Sequence, residues 1–540
     1  NGIWTWSDKG QVWASYQPIY PAKVLVNIET DTYKTVLRYK VRGRWIERTF
    51  DKSILASNNK ILELAKYGLT VTSENSKALV KYLADVEALN EDIITEQTST
   101  SRFGWVASDI DVFMPFGDEV VFDNESNLMT LFRSISHCGD RAKWYTLMKE
   151  LRATRKREIL LYLASSLASV LVEPCGALPF IINLWGETGK GKTVLLKLAA
   201  SIWANPREGQ YMADAKSTIT AQEIRLDTLN NLPMLIDDMA QIRNQCDGDF
   251  STLVYRWCSG QGKDRSNVGL GLNRLNHWKN CILTNAEHSL VTETMQGGAI
   301  NRIIDVEMQD GYIFEDGNYV CEIIHDNYGY CGQEFIEVVQ NIGFEKVREI
   351  QKAFVEQIKS EASKRSITKE EKQMIPMSII LTADKIATDY LYKDSIYLDF
   401  NDCFELMKDQ GEVSEHKRAY QFLKDEIIKN WHKFEPIDDD LYRGEQWGKI
   451  RHDSDDHDVA IVIGTIFDEM LKKGGFQSKA FLSWARKNEV IEVDSDGKSK
   501  KKARIGNCST RCIYMKMFAF DDEEPESGFV EAFPEDLPFD

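Results

Sequence analysis

Long apolar runs are missing from this chain of 540 residues: the longest, Ile159 to Val172, is closed by Glu173 after 14 positions. A helix needs about 20 apolar residues to cross a bilayer, so this run reads as a buried helix and no membrane partner is expected. Cysteines are dispersed, ten in all, with only Cys508 and Cys512 close together. No disulfide framework can be drawn from them, which points to a reducing cytoplasmic setting. Cys508-Ser-Thr-Arg-Cys512 is at most half of a zinc site, because no second Cys/His pair stands at suitable spacing. Two cysteines on an apolar strand pair is the simpler reading, and His452 and His457 sit in what reads as a solvated acidic loop. The opening Asn1-Gly-Ile-Trp lacks the basic start and apolar centre of a secretion leader.

Positive charge is also in deficit. Lys and Arg number 66 against 84 Asp and Glu, a formal net charge of -18. That excludes a surface coated in basic residues but leaves room for a local nucleic-acid channel. Residues 521–540 carry nine acids and no Lys or Arg, half of the net charge in one tail.

What is present is an ordinary globular composition, 43% hydrophobic and 28% charged, long enough for three or four domains. Residues 1–145 read as an α+β domain. Ala22-Lys-Val-Leu-Val-Asn-Ile and Tyr33-Lys-Thr-Val-Leu-Arg-Tyr-Lys-Val have strand patterning, and Lys60 to Gly68 and Ser76 to Leu89 have helix patterning. Residues 146–345 run from a helix into the strand Pro179-Phe-Ile-Ile-Asn-Leu-Trp, then alternate apolar strands with helical segments. This is the signature of an α/β fold, a parallel sheet wrapped by helices. Residues 346–374 are a charged helical connector, 375–520 a largely helical C-terminal region, and 521–540 a tail expected to be disordered.

Gly186-Glu187-Thr188-Gly189-Lys190-Gly191-Lys192-Thr193 is a complete phosphate-binding loop between that strand and a helix. Gly186 and Gly191 let the backbone turn its N–H groups toward phosphates, Lys192 reaches the β and γ phosphates, and the Thr193 hydroxyl binds Mg²⁺. Leu232-Pro-Met-Leu-Ile-Asp237-Asp238, reaching Asp237 45 residues beyond Lys192, supplies a buried strand that ends in two carboxylates. Asp237 suits the Mg²⁺ shell, and Asp238 suits orientation of the attacking water, a role more often given to Glu. The next apolar strand, Cys281-Ile-Leu-Thr-Asn285, puts Asn285 near the γ-phosphate if it lies between the other two; otherwise Asn285 caps a turn. Arg302, in Gly297-Gly298-Ala-Ile-Asn-Arg302, is placed to reach a neighbouring subunit's γ-phosphate, or else forms a surface salt bridge.

Two stretches have the composition of nucleic-acid contacts. Between Gly260 and Trp278, basic residues alternate with glycine and asparagine, which suits a projecting hairpin with Lys263, Arg265 and Arg274 as DNA contacts; a solvated loop is the alternative. Near the C-terminus, a helix from Phe476, the strand Val490-Ile-Glu-Val, a basic turn and the strand from Arg511 have the outline of a winged helix. Lys500, Lys501 and Lys502 then lie in its wing, where they would meet DNA phosphates unless the module binds only protein.

The order of these motifs, with the Thr284-Asn285-Ala286-Glu287 strand end, resembles the mobile-element AAA+ ATPases of domain-of-unknown-function family nine hundred twenty-seven. That family is similar to the replicative MCM helicases and includes the self-loading helicases of cassette chromosomes and prophages. The likeness covers most of residues 20–518. It implies an AAA+ P-loop core, ATP as the nucleotide, a homo-hexamer with ATP between subunits, Arg302 completing a neighbour's site, and the 263–274 hairpin lining a pore that holds single-stranded DNA. The function implied is an ATP-driven DNA helicase or translocase for replication of a prophage or mobile element. Alternatives are an AAA+ switch or assembly ATPase with protein partners, as in phage defence, and a helicase loader. The tail ending Pro534-Glu-Asp-Leu-Pro-Phe539-Asp540 is similar to the acidic tip of single-stranded-DNA-binding proteins, which implies docking to a replisome protein; otherwise it is a solubilising acidic end.

Overall fold

The computed structural model describes residues 2–7, 10–106, 112–117, 119–213, 215–243, 250–264, 274–292, 295–409, 414–435, 445–452, 458–506 and 508–517. Arg265, His457 and the acidic tail lie outside the described residues. The chain forms two compact units, Asn1–Val413 and Ser414–Asp540.

The first unit opens with a hairpin of β1 (Ile3–Ser7) and β2 (Gly10–Ser15). Next come β3 (Ile19–Asn27), β4 (Tyr33–Val41), β5 (Arg44–Asp51) and β6 (Thr95–Thr100), then the short β7 (Gly104–Trp105), β8 (Phe113–Met114) and β9 (Val121–Phe122). A five-stranded sheet runs β5-β4-β3-β6-β9, antiparallel across β5, β4 and β3 and parallel from β3 to β6 to β9. Leu37 and Tyr39 alternate with less buried neighbours and pack with Ile61, Leu64, Leu79 and Leu83, as period-two patterning requires of a sheet covered on one face. Ser76–Leu89 is an α-helix, and Lys60–Tyr67 winds as a 3-10 helix closed by Gly68 in the left-handed conformation.

Four parallel strands follow: β10 (Phe180–Trp185), β11 (Met234–Ile236), β12 (Cys281–Ala286) and β13 (Ile303–Glu307), in the order β11-β12-β10-β13. Their residues are buried almost throughout, the pattern of a parallel sheet covered on both faces. Helices Arg157–Ala168 and Lys192–Ser201 pack against one another and against β12. Phe103, Trp105 and Phe113 belong to this core, and so does the helix Glu371–Ala387, which packs on Arg157–Ala168. Residues 375–407, grouped with the C-terminal region by sequence, thus pack with the parallel sheet.

The second unit is a six-stranded sheet of β14 (Phe434–Glu435), β15 (Gly448–His452), β16 (Asp458–Ile463), β17 (Ile491–Glu492), β18 (Lys501–Ile505) and β19 (Cys508–Met517). Its order is β14-β15-β16-β19-β17, with β18 also paired antiparallel to β19. Helices Glu415–Lys429, Gly464–Lys473 and Ser478–Lys487 close a separate core around Tyr420, Leu423, Phe467, Phe481 and Ile513. Cys508 and Cys512 both stand on β19. Among the described residues no helix is long and apolar enough to cross a membrane.

Candidate nucleotide site and nucleic-acid surfaces

β10 delivers the glycine loop at its carboxyl end. Gly186, Gly189 and Gly191 have φ of 152°, 80° and 102°, and Gly191 caps the helix Lys192–Ser201 in the left-handed region. A Cβ on Gly191 would stand 3.1 Å from the Phe314 ring, so conformation and space both select glycine there. The ring of N–H groups at this helix start is a ready site for an anion. Lys192 folds back over the loop and donates from Nζ to the carbonyls of Gly186 at 2.7 Å and Glu187 at 2.6 Å. Burial pushes its ammonium below the ordinary lysine range, against the pull of Glu287, Asp237 and Asp238. Glu187 and Lys190 form an ion pair at 3.3 Å, and the Lys190 ammonium also lies 4.7 Å over the Tyr312 ring.

The sheet order brings the acidic strand end and the asparagine beside this loop. Thr193 Oγ1 donates to Asp237 Oδ1 at 3.0 Å, and Asn285 Nδ2 donates to the same oxygen at 2.7 Å. Asn285 Oδ1 in turn accepts the Asp238 N–H at 2.7 Å, fixing a residue whose φ is 59°. The Asp238 carboxylate accepts from Gln241 Nε2 at 2.9 Å. β12 lies between β11 and β10, the position that puts Asn285 in contact with both motifs. Sequence reasoning assigned no role to Glu287, yet its carboxylate accepts the Thr188 hydroxyl and so faces the glycine loop. Its signal was present in the acid that closes the Thr-Asn-Ala-Glu strand end.

Arg302 does not join this group. Its carbonyl accepts the Ile181 N–H at 2.9 Å, and the register from Ile181↔Ile303 to Trp185↔Glu307 puts it at the amino end of β13. Four strand residues, about 13 Å, separate that end from the glycine loop. The guanidinium donates to the Gly298 carbonyl and lies 5.0 Å over the Tyr255 ring.

The basic segment forms the base of a hairpin: Gly262 donates to the Asn276 carbonyl at 2.8 Å and Trp278 to that of Gly260 at 2.9 Å. Lys263 is exposed on it. Arg274 is instead engaged internally, 3.0 Å from Asp227 and 3.2 Å from Glu29. The same two carboxylates pair with Arg102, which is 3% exposed and also donates to the His277 carbonyl. Burial, then Arg102, pushes the His277 imidazole below its usual value. In the second unit Lys500 pairs with Asp468 at 2.8 Å and Lys501 with Glu492 at 2.7 Å, while Lys502 is exposed on β18. These three, with Lys498, Arg511 and Asp494, line a cleft of about 540 Å³.

Comparison with known proteins places this geometry. The solved structure of SCCmec type IV Cch, described as an active helicase, matches over 96% of this chain and 96% of its own at 16% identity, with a TM-score of 0.70. That likeness shows a shared fold. The apo C-terminal region of NrS-1 aligns over 91% of this chain and 96% of its own, but at 10% identity and a TM-score of 0.32, which carries no argument. No curated protein matches the sequence. Residues 5–273 match the domain of unknown function DUF927, and residues 414–523 match the Cch helix-turn-helix domain. Residues 5–273 thus belong to the DUF927 family, and the second unit carries a helix-turn-helix domain of the Cch type.

Proposed function

We propose that this chain is an AAA+ P-loop ATPase acting as a hexameric DNA helicase or translocase in replication of a prophage or other mobile element. The observation that carries the reading is the convergence of Lys192, Thr193, Asp237 and Asn285 at the carboxyl ends of three adjacent parallel strands. The donor set fits ATP with Mg²⁺. The loop offers N–H groups and an ammonium for phosphates, and the Thr193 hydroxyl and Asp237 carboxylate are the hard oxygens Mg²⁺ prefers. Mg²⁺ held there would neutralise charge on the β and γ phosphates. Asn285 holds Asp237 with its amide nitrogen and the Asp238 backbone with its amide oxygen, so one side chain sets the position of both acids. Asp238 and Glu287 are then the carboxylates available to orient water.

Arg302 stands too far from its own chain's loop to serve it, which supports a role at a neighbouring subunit's site. Lys263 on the hairpin and Lys500, Lys501 and Lys502 in the second unit are the proposed DNA contacts. The Cch-like fold and the helix-turn-helix domain support a DNA substrate. The test is ATP hydrolysis by purified protein, with and without single-stranded DNA, over a range of protein concentration. A DNA motor with shared sites shows turnover that rises with DNA and a per-subunit rate that rises with concentration. Turnover indifferent to DNA would contradict the motor and favour a protein-binding switch.

A further inference from the structure

The β4–β5 hairpin has a composition foreign to the rest of the chain. In a molecule of net charge -18, residues 38–48 read Arg38-Tyr39-Lys40-Val41-Arg42-Gly43-Arg44-Trp45-Ile46-Glu47-Arg48, five bases against one acid. Val41 pairs with Arg44 across a two-residue turn in which Arg42 and Gly43 have φ of 44° and 84°. Left-handed conformation at both central positions matches strand twist and projects the turn's arginines tightly at the tip.

Strand alternation sorts these side chains. Leu37 and Tyr39 point into the core, while Arg38 and Lys40 lie on the other face. On that face Tyr20 is opposite Arg38, and Trp45 is opposite Lys40. The Tyr20 and Trp45 rings meet edge to face at 5.9 Å, with the Arg38 guanidinium 5.5 Å over the Trp45 ring. Both rings stay open, Tyr20 at 37% and Trp45 at 45% exposure. Glu47 is the one acid among residues 38–48, 3.6 Å from Arg38 in a solvent-exposed pair of the kind worth little. Arg48 turns the other way, over the Tyr67 ring.

Charge on an exposed strand often serves to discourage edge-to-edge pairing. That does not account for Arg38 and Lys40, because β4 is hydrogen-bonded on both sides, to β3 and β5. Open aromatic rings beside cations, on an extended strand face, are instead the device that holds unpaired bases by stacking and their phosphates by charge. A duplex hides its base faces and could use only the cations.

We propose that the outer face of β3–β5, built from Tyr20, Arg38, Lys40 and Trp45 with Arg42 and Arg44 at the hairpin tip, binds single-stranded nucleic acid. This surface is separate from the nucleotide site and stands whether or not the chain hydrolyses ATP. The test uses full-length protein without nucleotide and an oligo(dT) carrying a fluorescent label. Replacing Arg38→Ala together with Trp45→Ala should weaken binding about tenfold or more, the scale of one lost stacked base. Trp45→Phe should keep most of the affinity, and Arg42→Ala with Arg44→Ala should lower the slope of log affinity against log salt by about 0.7 per lost phosphate contact. A photoreactive 5-iododeoxyuridine oligonucleotide on the unaltered protein should crosslink to the peptide bearing Trp45 or Tyr20, a readout independent of how the variants fold. Unchanged affinity in a well-folded Arg38→Ala, Trp45→Ala protein, or crosslinks confined to other segments, would overturn the proposal. Equal losses on single strand and blunt duplex would overturn its single-strand part.

Discussion

Lys192 donates to the loop's own carbonyls, and the Thr188 hydroxyl donates to Glu287. Phosphate at the helix start would compete for both the ammonium and the hydroxyl, freeing Glu287 to face water. Glu287→Gln should therefore keep nucleotide binding and lower turnover by about a hundredfold to ten-thousandfold, the range of general-base contributions. The check is to measure nucleotide affinity and steady-state hydrolysis on the same preparation; unchanged turnover would assign the task to Asp238 alone. Lys192 and Thr193 stood out because a fixed spacing of glycines, lysine and hydroxyl marks the phosphate-binding motif, and Asp237 because a carboxylate closes an apolar strand; the fold brings Thr193 and Asp237 within 3.0 Å. Glu287 did not, because one acid after a strand acquires meaning only when the sheet order brings it over Thr188. Arg274 was read as a DNA contact from local composition, whereas its charge faces Glu29, 245 positions away in sequence. No periodicity encodes such a pairing.

Elements with strong periodicity were readable to within a residue or two: the helix Ser76–Leu89 and the strands β10 and β12 fall where the patterning puts them. The glycine turn before Arg302 instead contains one helical turn, Gly297–Ile300. The Trp-bearing hairpin of β1 and β2 went unread. Junctions between elements were the least legible. The end of the helix Ile219–Leu229, the hairpin base at His277 and the loop after β3 meet on Arg102, whose guanidinium reaches Glu29, Asp227 and His277. Burial pulls its pKa down while the two carboxylates hold it up. Removing one partner from a buried ion pair leaves charge without compensation. Arg102→Ala should cost about 3 kcal/mol, the low end of that class because Arg274 remains to pair both acids. Urea unfolding followed by intrinsic fluorescence would show the shift, and a change near zero would mean the network relaxes without it.

At the scale of the whole molecule, the two compact units carry different chemistry, a nucleotide-type loop in one and a basic cleft in a helix-turn-helix domain in the other. In this acidic chain cations cluster at the β4–β5 hairpin and in the cleft of the second unit, and Lys263 is exposed at the hairpin base. Such a distribution directs a polyanion to specific places and leaves the remaining surface repulsive to it. In the proposed mechanism catalysis is shared, Lys192 serving its own chain's site and Arg302 the next subunit's. Two variants test it directly. Lys192→Ala and Arg302→Ala should each be nearly inactive alone in the presence of single-stranded DNA. Mixing them should restore ATP hydrolysis, because an intact loop on one subunit then meets an intact arginine on its neighbour. Failure to recover activity at any mixing ratio, with both variants folded and able to co-assemble, would contradict it.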